Sequence, residues 1–193
     1  MAANNDEVVT IVSGLPRSGT SMMMQMIDKG GIPALTDHVR RADEDNPKGY
    51  YEFEPVKRTK QDPSWLERAR GKVVKMVYRL LYDLPEGYHY RVVFMRRKLE
   101  EVIASQNKML ERLGKQGGGL SDEKLVEVYR AEIDKCNKWL AEQPNFEVLY
   151  VNYNEVINDP VPQVSRLNEF LGGHMNTQAM LEVVDPQLYR QKR

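Results

Sequence analysis

A strand, a glycine-containing turn and a helix follow one another within the first thirty residues, and this succession constrains the chain more than any other feature. Val8–Ser13 (VVTIVS) is a near-continuous run of strand-forming residues. Gly14-Leu15-Pro16-Arg17-Ser18-Gly19-Thr20-Ser21 follows, and then a Met-rich helical pattern over Ser21–Lys29. A buried strand that turns sharply into a helix aims the helix's unpartnered N–H groups, and about half a positive charge of dipole, at one point. Gly19 lets the backbone come close to an anion's oxygens. Ser18, Thr20 and Ser21 are expected to add hydroxyl donors, and Arg17 a planar charged fork. The Met22, Met23, Met24 and Met26 side chains read as helix core, since methionine fills irregular gaps.

Three more runs read as buried strands: Val73–Tyr78, Arg91–Met95 and Phe146–Tyr153. Helical patterns lie around them, at about Glu54–Arg70, Leu99–Leu113, Asp122–Glu142 and Val161–Leu171. Ser121 caps the third of these, with Asp122 and Glu123 in its first turn, where the helix dipole favours negative charge. Alternating strands and helices make βαβ units. The expected fold class is α/β: a central parallel β-sheet flanked by helices in a P-loop-like three-layer sandwich. A length of 193 residues suits one domain, 1–193. Lys115–Gly119 reads as a solvent-exposed connection.

The 28 basic and 28 acidic residues cancel, but unevenly along the chain. Lys57 to Lys98 holds twelve basic residues against four acidic ones, an excess suited to a multiply charged anion. Nucleic acid is not expected, because no basic stripe interleaved with aromatics occurs. The single cysteine, Cys136, cannot form an internal disulfide and argues for a reducing compartment. The start, MAANNDEVVT, has neither a basic nor an apolar leader region, and no apolar run approaches a membrane span. A soluble, cytoplasmic protein is expected.

The turn invites comparison with the nucleotide-triphosphate loop G-x-x-x-x-G-K-[ST]. Gly14 and Gly19 fit, but Thr20 stands where that loop has lysine. No strand ends in an Asp for Mg²⁺: the second runs into Tyr78-Arg79 and the third into Arg96-Arg97. An anion neutralised by arginine and lysine, without a metal, suits these residues better than ATP with magnesium.

Pro16-Arg17-Ser18-Gly19-Thr20-Ser21 resembles the 5′-phosphosulfate loop, P-[KR]-S-G-T-[TS], of sulfotransferases that use 3′-phosphoadenosine 5′-phosphosulfate (PAPS), in the Arg form common among bacterial members. In that family a strand leads to an Arg, with a Ser eight residues later, and the two hold the 3′-phosphate. Val92–Arg97 followed by Ser105 fits that spacing and favours Arg97 over Arg96. Val148–Pro160 (VLYVNYNEVINDP) resembles the family's strand-plus-YE-x-L-x-x-DP segment, and Asn168–Gly172 the helix end after it. The resemblance implies sulfuryl transfer from PAPS to a hydroxyl or amine, leaving adenosine 3′,5′-bisphosphate, with no metal. Cofactor binding then falls to Arg17, Ser18, Gly19, Thr20, Ser21, Arg97 and Ser105.

The same resemblance implies catalytic roles. Arg17 and Lys75, the latter on a strand like the one whose lysine contacts the transferring group, would stabilise charge on the leaving oxygen. Cytosolic members place a histidine base two residues beyond that lysine, where this chain has Val77. Of its histidines, His89 is expected at the far end of the sheet and His174 in a late turn. Asp45–Glu52 resembles the NP-x-G-Y-x-E stretch of bacterial members, which nominates Glu52 as the general base, with Glu54 and His38 behind it. Met22 stands where the family often has a tryptophan against adenine, so Trp65 or Tyr189 would have to replace it. The basic tail Tyr189–Arg193 could add cations to the 3′-phosphate. The alternatives are a P-loop-type small-molecule kinase and a non-catalytic nucleotide-binding module. The acceptor, a small molecule or a carbohydrate, and the oligomeric state are not legible.

Overall fold

The computed structural model describes residues 8–37, 39, 49–115 and 118–185. Four parallel strands form one sheet: β1 (Val8–Gly14), β2 (Val73–Lys75), β3 (His89–Arg96) and β4 (Phe146–Asn152), in the order β2-β1-β3-β4. The helices are α1 (Thr20–Gly30), α2 (Leu66–Ala69), α3 (Leu99–Arg112), α4 (Asp122–Glu142), α5 (Tyr153–Asn158), α6 (Pro160–Phe170) and α7 (Thr177–Leu181).

The strands are apolar on both sides because both sides are covered. Val9 and Ile11 of β1 and Tyr90, Val92 and Phe94 of β3 face a layer made by α2, α3 and α4, including Cys136 and Leu140. Val12, Val93 and Met95 face the opposite layer of α1, α5, α6 and α7, where Met23, Met24 and Met26 are buried. The methionines are core, as their periodicity implies. No helix among the described residues is long and apolar enough to cross a membrane.

The α/β class, the presence of four strands in the expected places along the chain and α4 agree with the sequence reading, and Ser121 caps α4 by accepting from the Lys124 N–H at 3.3 Å. Two elements differ. The expected helix over Glu54–Arg70 is a 3₁₀ turn at Glu54–Arg58 and the single turn α2. Pro63 disfavours helical geometry before it, and Asp62 accepts the Ser64 N–H at 3.0 Å to make a turn instead. The second strand stops at Lys75 instead of Tyr78, and Tyr78–Asp83 winds into a 3₁₀ helix. The helices α5 and α7 were not expected; each is capped by an asparagine, Asn152 and Asn176.

The strand order positions the site. From β1 the chain crosses to β2 on one side, while β3 lies on the other. Ligands of open parallel sheets bind in the crevice that such a reversal leaves beyond the carboxyl ends. Gly14 and Met95 are register partners at that point, so the turn after β1 and the Arg96-Arg97 pair flank one crevice.

Candidate functional site

A cavity of about 500 Å³ opens above the carboxyl ends of β1, β2 and β3. Its polar walls include Arg17, Gly19, Thr20, Ser21, Glu52, Lys75, Arg97 and Ser105. Residues separated by more than eighty positions thus share one space.

The start of α1 differs from that of α4. α4 has a serine cap and two acidic residues in its first turn; α1 has Gly19 at its cap, no side-chain cap and no acidic residue. Its first N–H groups and the positive end of its dipole are therefore directed to the cavity without a carboxylate in the first turn. Gly19 sits at φ 94°, and a Cβ there would come within 2.4 Å of the Tyr153 ring. Only glycine lets the turn lie this close to α5. Arg17 (φ 73°) and Tyr51 (φ 53°) are the non-glycine residues with positive φ among the described residues. Arg17 lines the cavity, and Tyr51 lies between two residues that do, Tyr50 and Glu52. Backbone strain of this kind persists where surrounding structure over-determines it.

Ser18 departs from the expected role. Its hydroxyl and its N–H both donate to the Leu15 carbonyl, at 2.7 and 3.2 Å, and the residue is buried outside the cavity lining. It closes the turn and offers no donor to a ligand. Thr20 and Ser21 do line the cavity, and the Ser21 hydroxyl donates to the Tyr50 carbonyl at 3.3 Å.

The second expected cradle touches the first. Arg17 Nε donates to Ser105 Oγ at 3.0 Å, and Arg97 Nη1 donates to the Arg17 carbonyl at 3.1 Å. Arg97 lines the cavity, whereas Arg96 lies with its guanidinium 3.8 Å from the Tyr150 ring centroid, at a separate cleft. Of the two candidate arginines, only Arg97 lines this cavity. Sequence reasoning missed the support beneath it. The Tyr153 ring lies 4.4 Å under the Arg97 guanidinium, and burial, partly offset by Arg97, pushes its phenol above the usual range. Buried Glu101 pairs with Arg97 Nε at 2.9 Å. Its place in the first turn of α3, four residues beyond Arg97, was the available signal.

Lys75 ends β2 beside the cavity, its side chain 14% exposed. Its Nζ donates to the Tyr50 carbonyl, lies 3.5 Å from Ser21 Oγ and 3.7 Å from Glu52 Oε1. It does not snorkel to solvent. Glu52 lines the cavity; Glu54 does not, and its exposed carboxylate pairs with Lys57 at 2.5 Å. His38, Asp45–Lys48 and Tyr189–Arg193 lie outside the described residues. His89 pairs with Val8 at the opening of the sheet, about 20 Å of strand from the turn. His174 is exposed, with Nδ1 3.2 Å from the Gly172 carbonyl. Trp65 is buried against Phe53, with its indole N–H donating to Thr59 Oγ1 at 3.1 Å. That burial removes it as an adenine platform.

Part of the basic excess of the 57–98 segment is paired away from the cavity. Arg70 pairs with Glu67, Arg79 with Glu132 and Arg91 with Glu147; Lys57, Lys75 and Arg97 are the members that line the cavity.

A sulfotransferase-domain family model matches residues 122–192, from α4 to near the chain's end. That stretch contains neither the turn after β1 nor Arg97 and Ser105, so it is evidence separate from them. No curated protein sequence matches the chain. Among solved structures, the chain resembles the sulfotransferase domain from the curacin biosynthetic pathway (15% identity, TM-score 0.58), covering 94% of this chain and 79% of that one. It resembles the sulfotransferase domain from the Synechococcus PCC 7002 olefin synthase (14% identity, TM-score 0.59) over 100% and 90% of the two chains. Retinol dehydratase, solved with androsterone and the inactive cofactor PAP, is similar over 97% of this chain and 65% of that one (14% identity, TM-score 0.52). These likenesses are of fold.

Proposed function

We propose that the chain is a sulfotransferase that moves a sulfuryl group from PAPS to a hydroxyl or amine of a small-molecule or carbohydrate acceptor, a reading that the family model over residues 122–192 supports. The observation that carries the reading is the adjacency of two anion cradles. Arg17 of the turn bonds Ser105 of α3, and Arg97 bonds the Arg17 backbone, at 3.0 and 3.1 Å. Two phosphates on one adenosine would need neighbouring cradles of this kind. The donor set fits such a nucleotide: an uncapped helix start, a glycine-only approach at Gly19, and arginine forks shaped for phosphate oxygens. Arg17, Gly19, Thr20 and Ser21 would hold the 5′ end, and Arg97 with Ser105 the 3′-phosphate.

When bound, PAPS supplies a sulfur–oxygen bond whose cleavage leaves charge on a phosphate oxygen. Arg17 and Lys75 bring positive charge to the cavity for that oxygen. Glu52, 3.7 Å from Lys75 Nζ, takes the acceptor's proton. Phe53, Val56, Met76 and Leu80 also line the cavity and would give the acceptor's body an apolar wall. Thr20 in place of the triphosphate-loop lysine disfavours the kinase alternative. One domain accounts for both cradles, and a cytoplasmic setting accords with the lone, buried Cys136.

Thermal-shift measurement with adenosine 3′,5′-bisphosphate, with ATP–Mg and without ligand tests the reading. Ligand at a hundred times its Kd adds about 2.7 kcal/mol of stability. Stabilisation by the bisphosphate that vanishes in Arg97→Ala is expected; stabilisation by ATP–Mg alone would replace this reading with the kinase.

A further inference from the structure

Arg97 is fixed from several directions. Its Nε donates to Glu101 Oε2 at 2.9 Å, its Nη1 to the Arg17 carbonyl at 3.1 Å, and its guanidinium lies over Tyr153. Glu101 is 0% exposed. From α5, across the sheet's end, Asn154 Nδ2 donates to its Oε1 at 3.0 Å and its Oε2 at 3.2 Å. A carboxylate this deep is costly unless it is paired and hydrogen-bonded, and an apolar side chain would fill the space without that cost.

Charge does not explain Glu101, because a negative group beside Arg97 weakens the attraction of the site for an anion. Direction does. The arginine fork is planar, and a bond at Nε fixes its roll about the side-chain axis. With Nε on Glu101 and Nη1 on the Arg17 carbonyl, the plane of the guanidinium is set before any ligand arrives. Asn154 in turn fixes the carboxylate that does the setting.

We infer that Glu101, held by Asn154, is a positioning residue that aims Arg97 and so sets the preference for a nucleotide bearing a 3′-phosphate over one with a 5′-phosphate alone. The inference rests on the bisphosphate reading of the cavity. Field and direction predict opposite signs for Glu101→Gln. Removing the negative charge strengthens bisphosphate binding if field governs and weakens it if direction governs.

The test is calorimetric Kd measurement for adenosine 3′,5′-bisphosphate and adenosine 5′-monophosphate on the full chain and on Arg97→Ala, Glu101→Gln and Asn154→Ala. The unaltered protein is expected to prefer the bisphosphate by at least about tenfold, and Arg97→Ala to abolish that preference. Glu101→Gln should lower the preference about tenfold with monophosphate affinity within about twofold of the original. Unchanged or tighter bisphosphate binding in Glu101→Gln overturns the positioning role and leaves the nucleotide site standing. No preference in the unaltered protein, or one that survives Arg97→Ala, overturns the bisphosphate reading itself. If Glu101→Gln does not fold, Asn154→Ala decides: a loss of preference of about threefold or more supports the role, and an unchanged preference overturns it.

Discussion

Arg17 Nε lies 3.0 Å from Ser105 Oγ, a hydrogen bond between residues 88 positions apart that ties the turn after β1 to α3. The bond places a loop cation beside the residue that ends the second motif. On the proposed function the two cradles would act on neighbouring atoms of one ligand, and their substitution should be coupled.

Arg17→Ala removes both the fork and its bond to Ser105. Affinity for adenosine 3′,5′-bisphosphate is expected to fall roughly ten- to a hundredfold, the worth of a charged hydrogen bond. In a double-mutant cycle with Ser105→Ala, the two losses should fall short of additive. Titration calorimetry on the three variants measures both effects.

Lys75→Met keeps the aliphatic stem and deletes the ammonium beside Ser21, Tyr50 and Glu52. With labelled PAPS, kcat should drop roughly ten- to a hundredfold while bisphosphate Kd changes little. A loss confined to Kd would make Lys75 a binding residue only.

Glu52→Gln preserves shape and removes the proton acceptor. Turnover should fall roughly 10²- to 10⁴-fold with bisphosphate binding retained, while Glu54→Gln, on the exposed side, should leave turnover within about twofold. An undiminished rate in Glu52→Gln would exclude it as the base.

Gly19→Ala forces an L residue to φ 94° and drives a Cβ to 2.4 Å from the Tyr153 ring. Urea unfolding should report a loss of about 2 kcal/mol or more. In the companion variant Gly31→Ala, at φ 117° with open space around it, the backbone strain is present without the collision, so its loss should be smaller.

Burial pushes the Tyr90 phenol well above its usual 10.0, with Tyr88 adding to the shift. Because the folded state favours the neutral phenol, its contribution is intact below pH 10 and is lost as pH rises above that value. Unfolding measured from pH 8 to pH 11 should fall off at the alkaline end. Tyr90→Phe should make that limb shallower, from a plateau lower by about 1 kcal/mol, because the hydroxyl's 2.8 Å bond to the Pro85 carbonyl is gone.

The strands were legible because a sheet covered on both faces demands apolar residues at every position, and such runs stand out in one dimension. The turn was legible because glycines, hydroxyls and an arginine between a strand and a helix have a local geometric reason. Pro63 broke the expected Glu54–Arg70 helix because the apolar spacing was weighed above its local veto. Ser18 misled for a related reason: a hydroxyl in a phosphate-loop motif can serve the turn's own backbone, and sequence does not say which way it points.

By itself the sequence determined the α/β class, the glycine-containing turn between β1 and α1 and the eight-residue interval from Arg97 to Ser105, because each depends on neighbours along the chain. Tertiary structure alone decided that Lys75 meets Glu52, that Trp65 is core, and that Asn154 braces Glu101. Lys75 with Glu52 and Asn154 with Glu101 join segments distant along the chain, and the sheet's reversal between β2 and β3 brings the strand ends that carry them to a single crevice.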